Sequence, residues 1–186
     1  MSVEFWSRVY SLVAGLKHEN KIKWLQYQIN RSSLFTNVKV HKFKPYISPQ
    51  CSYCSNHPEL IEHLFYSCEK VAQFWDEVRS WLATLQINLP YNQKQILFGI
   101  NNETCFSLKN GLILYVKYFI WTSKFQAKQL SLNIFQTFLQ YKLKEKRDAH
   151  EYCDNMQNFQ PWNIVFDSLL RLLPCTTPAE APMPTL

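Results

Sequence analysis

Cys51, Cys54, His63 and Cys68 place four metal-ligating side chains within eighteen residues, in the pattern C-x2-C-x8-H-x4-C. No other feature restricts the fold as much, because all four must converge on one point. Thiolate and imidazole are the ligands of tetrahedral zinc sites, and a Cys-x2-Cys pair on a tight turn joined to a second pair on or beside a helix closes a four-ligand shell. A closed shell leaves no open position for a water nucleophile, so the expected cofactor is structural Zn2+. The outer pairs match the short CCHC zinc knuckle of nucleic-acid-binding proteins, while the middle spacer is longer, which makes the pattern a variant. His57 is the competing imidazole, but ligation there lengthens the gap to Cys68 and gives up a helix-borne ligand. The plain alternative is three unrelated thiols and a surface histidine.

Composition narrows what surrounds this cluster. Aromatic residues make up 16% of the 186 positions and there are only three glycines, Gly15, Gly99 and Gly111. Scarce glycine with long apolar-periodic stretches favours helices over a sandwich or barrel, which needs many turns. It also forbids a dinucleotide or P-loop fingerprint, so no small-molecule substrate is expected. The expected fold class is mostly α: a helical bundle with an embedded CCHC zinc knuckle and a short extended basic arm. The first sixteen residues carry Glu4 and Arg8 and make a poor signal peptide, so the six cysteines point to a reducing, nuclear or cytoplasmic location. Cys105, Cys153 and Cys175 have no partner at ligand spacing and are expected to be free thiols. The apolar run Leu112 to Trp121 is broken by Lys117 and is too short to cross a bilayer, so no membrane partner is expected.

Periodicity predicts an amphipathic helix over residues 3–16, set apart from a helical domain over 17–173 and a disordered tail over 174–186. Within the domain, Ile22, Leu25 and Ile29 mark a helix that stops at residues 30–33. Residues 34–50 (LFTNVKVHKFKPYISPQ) read as extended, with Pro45 and Pro49 against a helix. Pro58 and Glu59 suit a helix start. His63 and Cys68 lie roughly 140° apart on an ideal helix, so they face one ion only if the helix loosens near Tyr66 and Ser67. Ser67 then caps a helix over 69–84 that buries Val71, Phe74, Trp75, Val78, Trp81 and Leu82. A turn at 90–92 precedes a short apolar segment, 96–100, that is strand-like or a buried turn. The stretch 108–128 reads as the central buried helix, with Lys109, Lys117, Lys124 and Lys128 as one polar stripe. Helices over about 131–152 and 162–173 follow.

The formal charge of +6 is unevenly spread. Residues 17–44 hold seven lysines and arginines against one acid, and 109–147 hold eight against one. Basic runs interleaved with aromatic residues suit a polyanion, so Lys21, Lys23, Arg31, Lys39, Lys42 and Lys44 are candidate phosphate contacts and Tyr27 and Phe43 candidate base-stacking groups. The bland reading is a solvated face and, for aromatics at helical spacing, core; Trp75, Trp81 and Trp121 are read as core.

The runs KIKWLQYQINRSSLFTN, CSYC and PELIEHLFYSCEKVAQFW, in that order, resemble the zinc-binding C-terminal region of LINE-type (non-LTR) retrotransposon reverse transcriptases. Glu59, His63, Leu64, Phe65, Cys68, Phe74 and Trp75 stand at the corresponding places. ILFG at 96–99 and LILYVKYFIWTSKF at 112–125 also look like downstream helices of that family, and the likeness spans about residues 17–150. The resemblance implies a piece that follows the polymerase and thumb and helps hold the element's RNA and target DNA. It therefore implies RNA, with DNA second, and a full-length reverse transcriptase as partners. No Asp-Asp pair is present, so the polymerase signature is missing and no catalytic residue is expected. The alternatives are a protein-interaction module retained by a host, with the lysines only solubilising, and a truncated remnant without function.

Overall fold

The computed structural model describes residues 4, 6, 7, 9, 10, 20–100, 108–127, 129–152 and 160–172. Among them the secondary structure is helical, apart from one isolated antiparallel bridge between Gln50 and Pro58. The chain divides into two compact units, residues 1–135 and 136–186. The described residues within 4–10 are helical, as the periodicity requires. The expected tail at 174–186, together with Lys128, Cys105, Cys153 and Cys175, lies outside the described residues.

In the first unit, α1 (Asn20–Asn30) buries Ile22, Leu25, Gln26, Ile29 and Asn30. It packs on α5 (Leu108–Phe125) and on α4 (Gln93–Phe98). The short apolar segment left open between strand and turn is thus a helix. Asn92 starts it, because its side-chain oxygen accepts from the backbone N–H groups of Lys94 and Gln95. Gly99, at φ 90, ends it in a conformation that costs other residues more.

Residues 34–50 are not an extended arm. Asn37–Phe43 form α2, and extended backbone is confined to the flanks. Thr36, itself extended, leads into this helix. Pro45 disfavours helix only from the residue before it, so it marks where α2 stops rather than barring it. α3 (Glu69–Thr84) runs as predicted and buries Val71, Phe74, Trp75, Val78, Trp81 and Leu82, together with Arg79.

α5 is buried along most of its length, including Leu112, Ile113, Tyr115, Val116, Phe119 and Ile120. Burying each side chain of this size contributes about 1.5–3 kcal/mol. Phe74 of α3, Phe119 of α5 and Phe135 form a ring cluster with centroids 5.3–5.8 Å apart. Of the predicted polar stripe, Lys109 is half-buried, while Lys117 and Lys124 turn inward. Lys117 is fully buried, donating to the Gln26 side chain and the Leu97 carbonyl, and Lys124 pairs with buried Glu59. Ammonium groups buried on this helix must find acceptors inside the protein. Trp75 and Trp81 are core, whereas Trp121 is only half-buried, edge-on to Phe125.

α6 (Leu132–Tyr152) starts in the first unit and continues into the second, where α7 (Gln160–Leu172) follows. Within the second unit Lys146 lies over the ring of Trp162 and Arg147 over that of Phe166, and both rings are buried. The cationic head groups thus rest against buried aromatic rings, a cation–π arrangement.

Candidate metal centre

The backbone explains how two ligand pairs meet. Cys51 and Cys54 lie in one tight turn, closed by the Ser55 N–H donating to the Cys51 carbonyl at 2.9 Å, and Ser55 takes positive φ. The Cys51 N–H donates to the His57 carbonyl and the Glu59 N–H to the Pro49 carbonyl, which brings the chain back beside its entry. The second pair depends on a local unwinding. His63–Ser67 is a π-helical turn in which the Cys68 N–H bonds to the His63 carbonyl at 2.9 Å. An i→i+5 bond stacks residues five apart, so the loosening expected near Tyr66 and Ser67 has a definite form. Cys68, not Ser67, is the residue that precedes α3, in extended conformation at the helix start. Pro58 sits in the bridge to Gln50, and helical backbone begins only at Ile61.

These elements bring Cys51, Cys54, His63 and Cys68 together, with one ligand atom from each all within 4.8 Å of one another. The Cys51 and Cys68 sulfurs are 3.7 Å apart, and the Cys54 sulfur is 3.3 Å from His63 Nε2. A tetrahedron with zinc–sulfur bonds of about 2.3 Å has a sulfur–sulfur edge of about 3.8 Å. The observed edge fits that ion. Three of the four ligands are buried and Cys54 is half-buried. His57 is exposed, with its ring centroid 5.4 Å from that of His63, and lies outside the ligand group.

The electrostatics suit a metal. The Cys51 thiol donates to the Cys68 sulfur; this bond and then burial push Cys51 up, and the same bond holds Cys68 below its ordinary value against burial. Backbone N–H groups of Val71 and Lys70, at the start of α3, add to the lowering at Cys68. Burial, helped by His57 and opposed by Glu59, lowers His63, which keeps the imidazole neutral as a ligand must be. Ser67 Oγ lies 3.5 Å from His63 Nδ1, the ring nitrogen turned away from Cys54, where it orients the ring.

Glu59 is the residue whose role the sequence did not reveal. It is fully buried and its carboxylate takes four donors. The backbone N–H of Asn37 and the Lys124 ammonium donate to one oxygen, and the Ser52 N–H and hydroxyl to the other. One side chain therefore ties the start of α2, the cysteine turn and α5. Tyr53, between the first two cysteines, donates its hydroxyl to the Ile120 carbonyl, a second tie to α5. The place of Glu59 beside the turn and in the family-like pattern hinted at a role, but both were equally compatible with a helix-start acid.

The candidate nucleic-acid residues divide. Lys21, Arg31, Lys42 and Lys44 are exposed, Lys23 is half-buried, and Phe43 is 76% exposed. Tyr27 is exposed, with Arg31 over its ring. Lys39 is half-buried and donates to the Ser32 carbonyl, so it serves the α1–α2 junction.

A four-ligand Cys3His cluster held by a tight turn and a π-helical turn inside a helical unit defines a closed, metal-binding domain. A family model described as zinc-binding in reverse transcriptase matches residues 3–75. The match includes all four ligand residues and ends at Trp75, and together with the cluster it supports a zinc-binding domain of the reverse-transcriptase kind. That family is one of accessory zinc-binding domains rather than catalytic ones. No curated protein matches the chain.

Proposed function

We propose that residues 20–135 form a non-catalytic, zinc-dependent module that holds RNA or DNA, as the C-terminal part of a LINE-type reverse transcriptase would. Zn2+ bound by Cys51, Cys54, His63 and Cys68 supplies structure, fixing the cysteine turn against the start of α3. The knuckle is CCHC in order. The observation that carries the nucleic-acid reading is the charge of the segment beside it. Residues 20–44 contain Lys21, Lys23, Arg31, Lys39, Lys42 and Lys44 and no acid. Exposed Phe35, Phe43 and Tyr46 accompany them. Lysines that reach phosphates position a nucleic acid without reading its sequence, so little sequence preference is expected. A full-length reverse transcriptase acting with this module, in the nucleus or cytoplasm, is the partner this reading implies.

The test is binding of the zinc-loaded protein to a structured RNA and a matched DNA duplex across a salt series. Affinity falls steeply with salt, and Lys21→Ala/Lys42→Ala/Lys44→Ala lowers the log–log slope by about 0.7–0.9 per lost phosphate contact. Binding no better than that of a charge-matched basic control removes the proposal.

A further inference from the structure

The solvent face of α1 carries an arrangement that packing does not require. Its buried stripe is Ile22, Leu25, Gln26 and Ile29. On the opposite side, Trp24, Tyr27 and Arg31 fall within about 60° of helical arc. Helical bonding reaches Arg31, whose N–H donates to the Tyr27 carbonyl at 3.0 Å. Trp24 and Tyr27 are stacked, with ring centroids 5.6 Å apart and planes 18° from parallel. The Arg31 guanidinium lies 5.8 Å from the Tyr27 centroid, and Tyr10 meets Tyr27 at 6.4 Å. Trp24 nevertheless remains 60% exposed.

A large indole held nearly parallel to a second ring, yet mostly in water, gains little for stability from its position. What it offers is a rigid π-face whose orientation is already fixed by its neighbour. A base stacks on such a face whatever its identity. The surroundings are cationic: Lys21, one helical turn before Trp24, and Arg31, one turn after Tyr27, are both exposed. An apolar protein partner would meet this positive charge without compensation, whereas a strand of phosphates and bases matches both the charge and the rings. A duplex presents phosphates but keeps its bases stacked on one another, so it cannot use the indole.

We infer that the Trp24–Tyr27–Arg31 strip on α1 is a stacking site for unpaired bases, giving the module a preference for single-stranded over duplex nucleic acid. The inference rests on the nucleic-acid reading above and specifies its substrate class. Trp24 supplies the outer stacking face, Tyr27 backs it, and Lys21 and Arg31 take the flanking phosphates.

The experiment compares affinities of zinc-loaded wild type, Trp24→Ala and Trp24→Phe for a twelve-nucleotide oligouridine RNA, a twelve-nucleotide oligothymidine DNA and a twelve-base-pair duplex, all at one salt concentration. Zinc content and circular dichroism of each variant report that the fold is kept. The expected result is a loss of about tenfold or more in single-strand affinity for Trp24→Ala, with duplex affinity within about twofold of wild type and most of the loss restored in Trp24→Phe. The two single strands show whether RNA or DNA is the better ligand. Equal loss on strand and duplex, or no loss on either, overturns the stacking site while leaving the nucleic-acid reading in place. No binding of any of the three by wild type overturns both.

Discussion

Replacing Glu59 by glutamine changes one atom and no shape, yet the structure gives it a large cost. The carboxylate is fully buried and both oxygens act only as acceptors, two donors to each. An amide keeps one oxygen and turns its NH2 group toward donors, whichever way it is flipped. If the oxygen stays with Asn37 and Lys124, the NH2 faces the Ser52 N–H, and a buried donor left unsatisfied costs about 1–3 kcal/mol. The Lys124 side chain, only 7% exposed, also loses its countercharge. Breaking a buried ion pair from one side costs about 3–5 kcal/mol. Together these predict a loss of at least about 4 kcal/mol, a large part of the 5–15 kcal/mol typical of a whole domain. Urea unfolding of the zinc-loaded protein at pH 7, followed by circular dichroism, measures this as a lower midpoint at unchanged slope. Hydrogen exchange should speed up at the Asn37 and Ser52 amides in particular. Glu59→Gln/Lys124→Met, which removes both charges, should recover part of the loss. A Glu59→Gln variant within about 1 kcal/mol of wild type, with both amides still protected, would refute the reasoning.

Burial pushes Lys117 down to about 7 from an ordinary value near 10.5. Between those values the unfolded chain binds the proton and the folded one does not, so stability rises with pH over that window and is flat below it. The contribution reaches up to about 2.7 kcal/mol between pH 7 and 9, and the difference between wild type and Lys117→Met over that range isolates it; parallel curves would contradict it. Asn92→Ala removes the acceptor at the start of α4 and should cost about 1 kcal/mol by denaturant titration, with no change in metal content. Metal removal by a chelator should expose the backbone amides of residues 50–68 to rapid exchange, because structural zinc contributes about 10–16 kcal/mol in small zinc peptides; unchanged protection there would argue against a structural ion.

The helices and the metal cluster were legible because both rest on local spacing. The apolar period gave α3 its ends, and C-x2-C-x8-H-x4-C required the turn and the loosened helix that the structure shows at 51–55 and 63–68. Residues 34–50 were misread because alternating lysines and two prolines look extended, whereas Pro45 constrains only what lies next to it and leaves Asn37–Phe43 free to coil. The inward turn of Lys117 and Lys124 on α5 was missed for a different reason. A helical arc shows that Lys117 and Lys124 share a side, but not that Gln26, the Leu97 carbonyl and Glu59 wait there. Such pairings, across 20 to 91 residues of chain, leave no trace in periodicity. Glu59 was hidden likewise, since its donors come from three separate segments. Trp24 and Tyr27 stand at i and i+3, a spacing shared by core aromatics and surface stacks alike, and only exposure tells them apart.

The most direct test of the account is metal stoichiometry by native mass spectrometry on wild type, Cys54→Ser and Cys68→Ser, purified with zinc present. The account predicts one zinc ion per wild-type chain, held by the four converging ligands, and loss of that ion in both variants with loosening of residues 45–70. A wild-type chain without zinc, or one zinc retained in both variants, would contradict it.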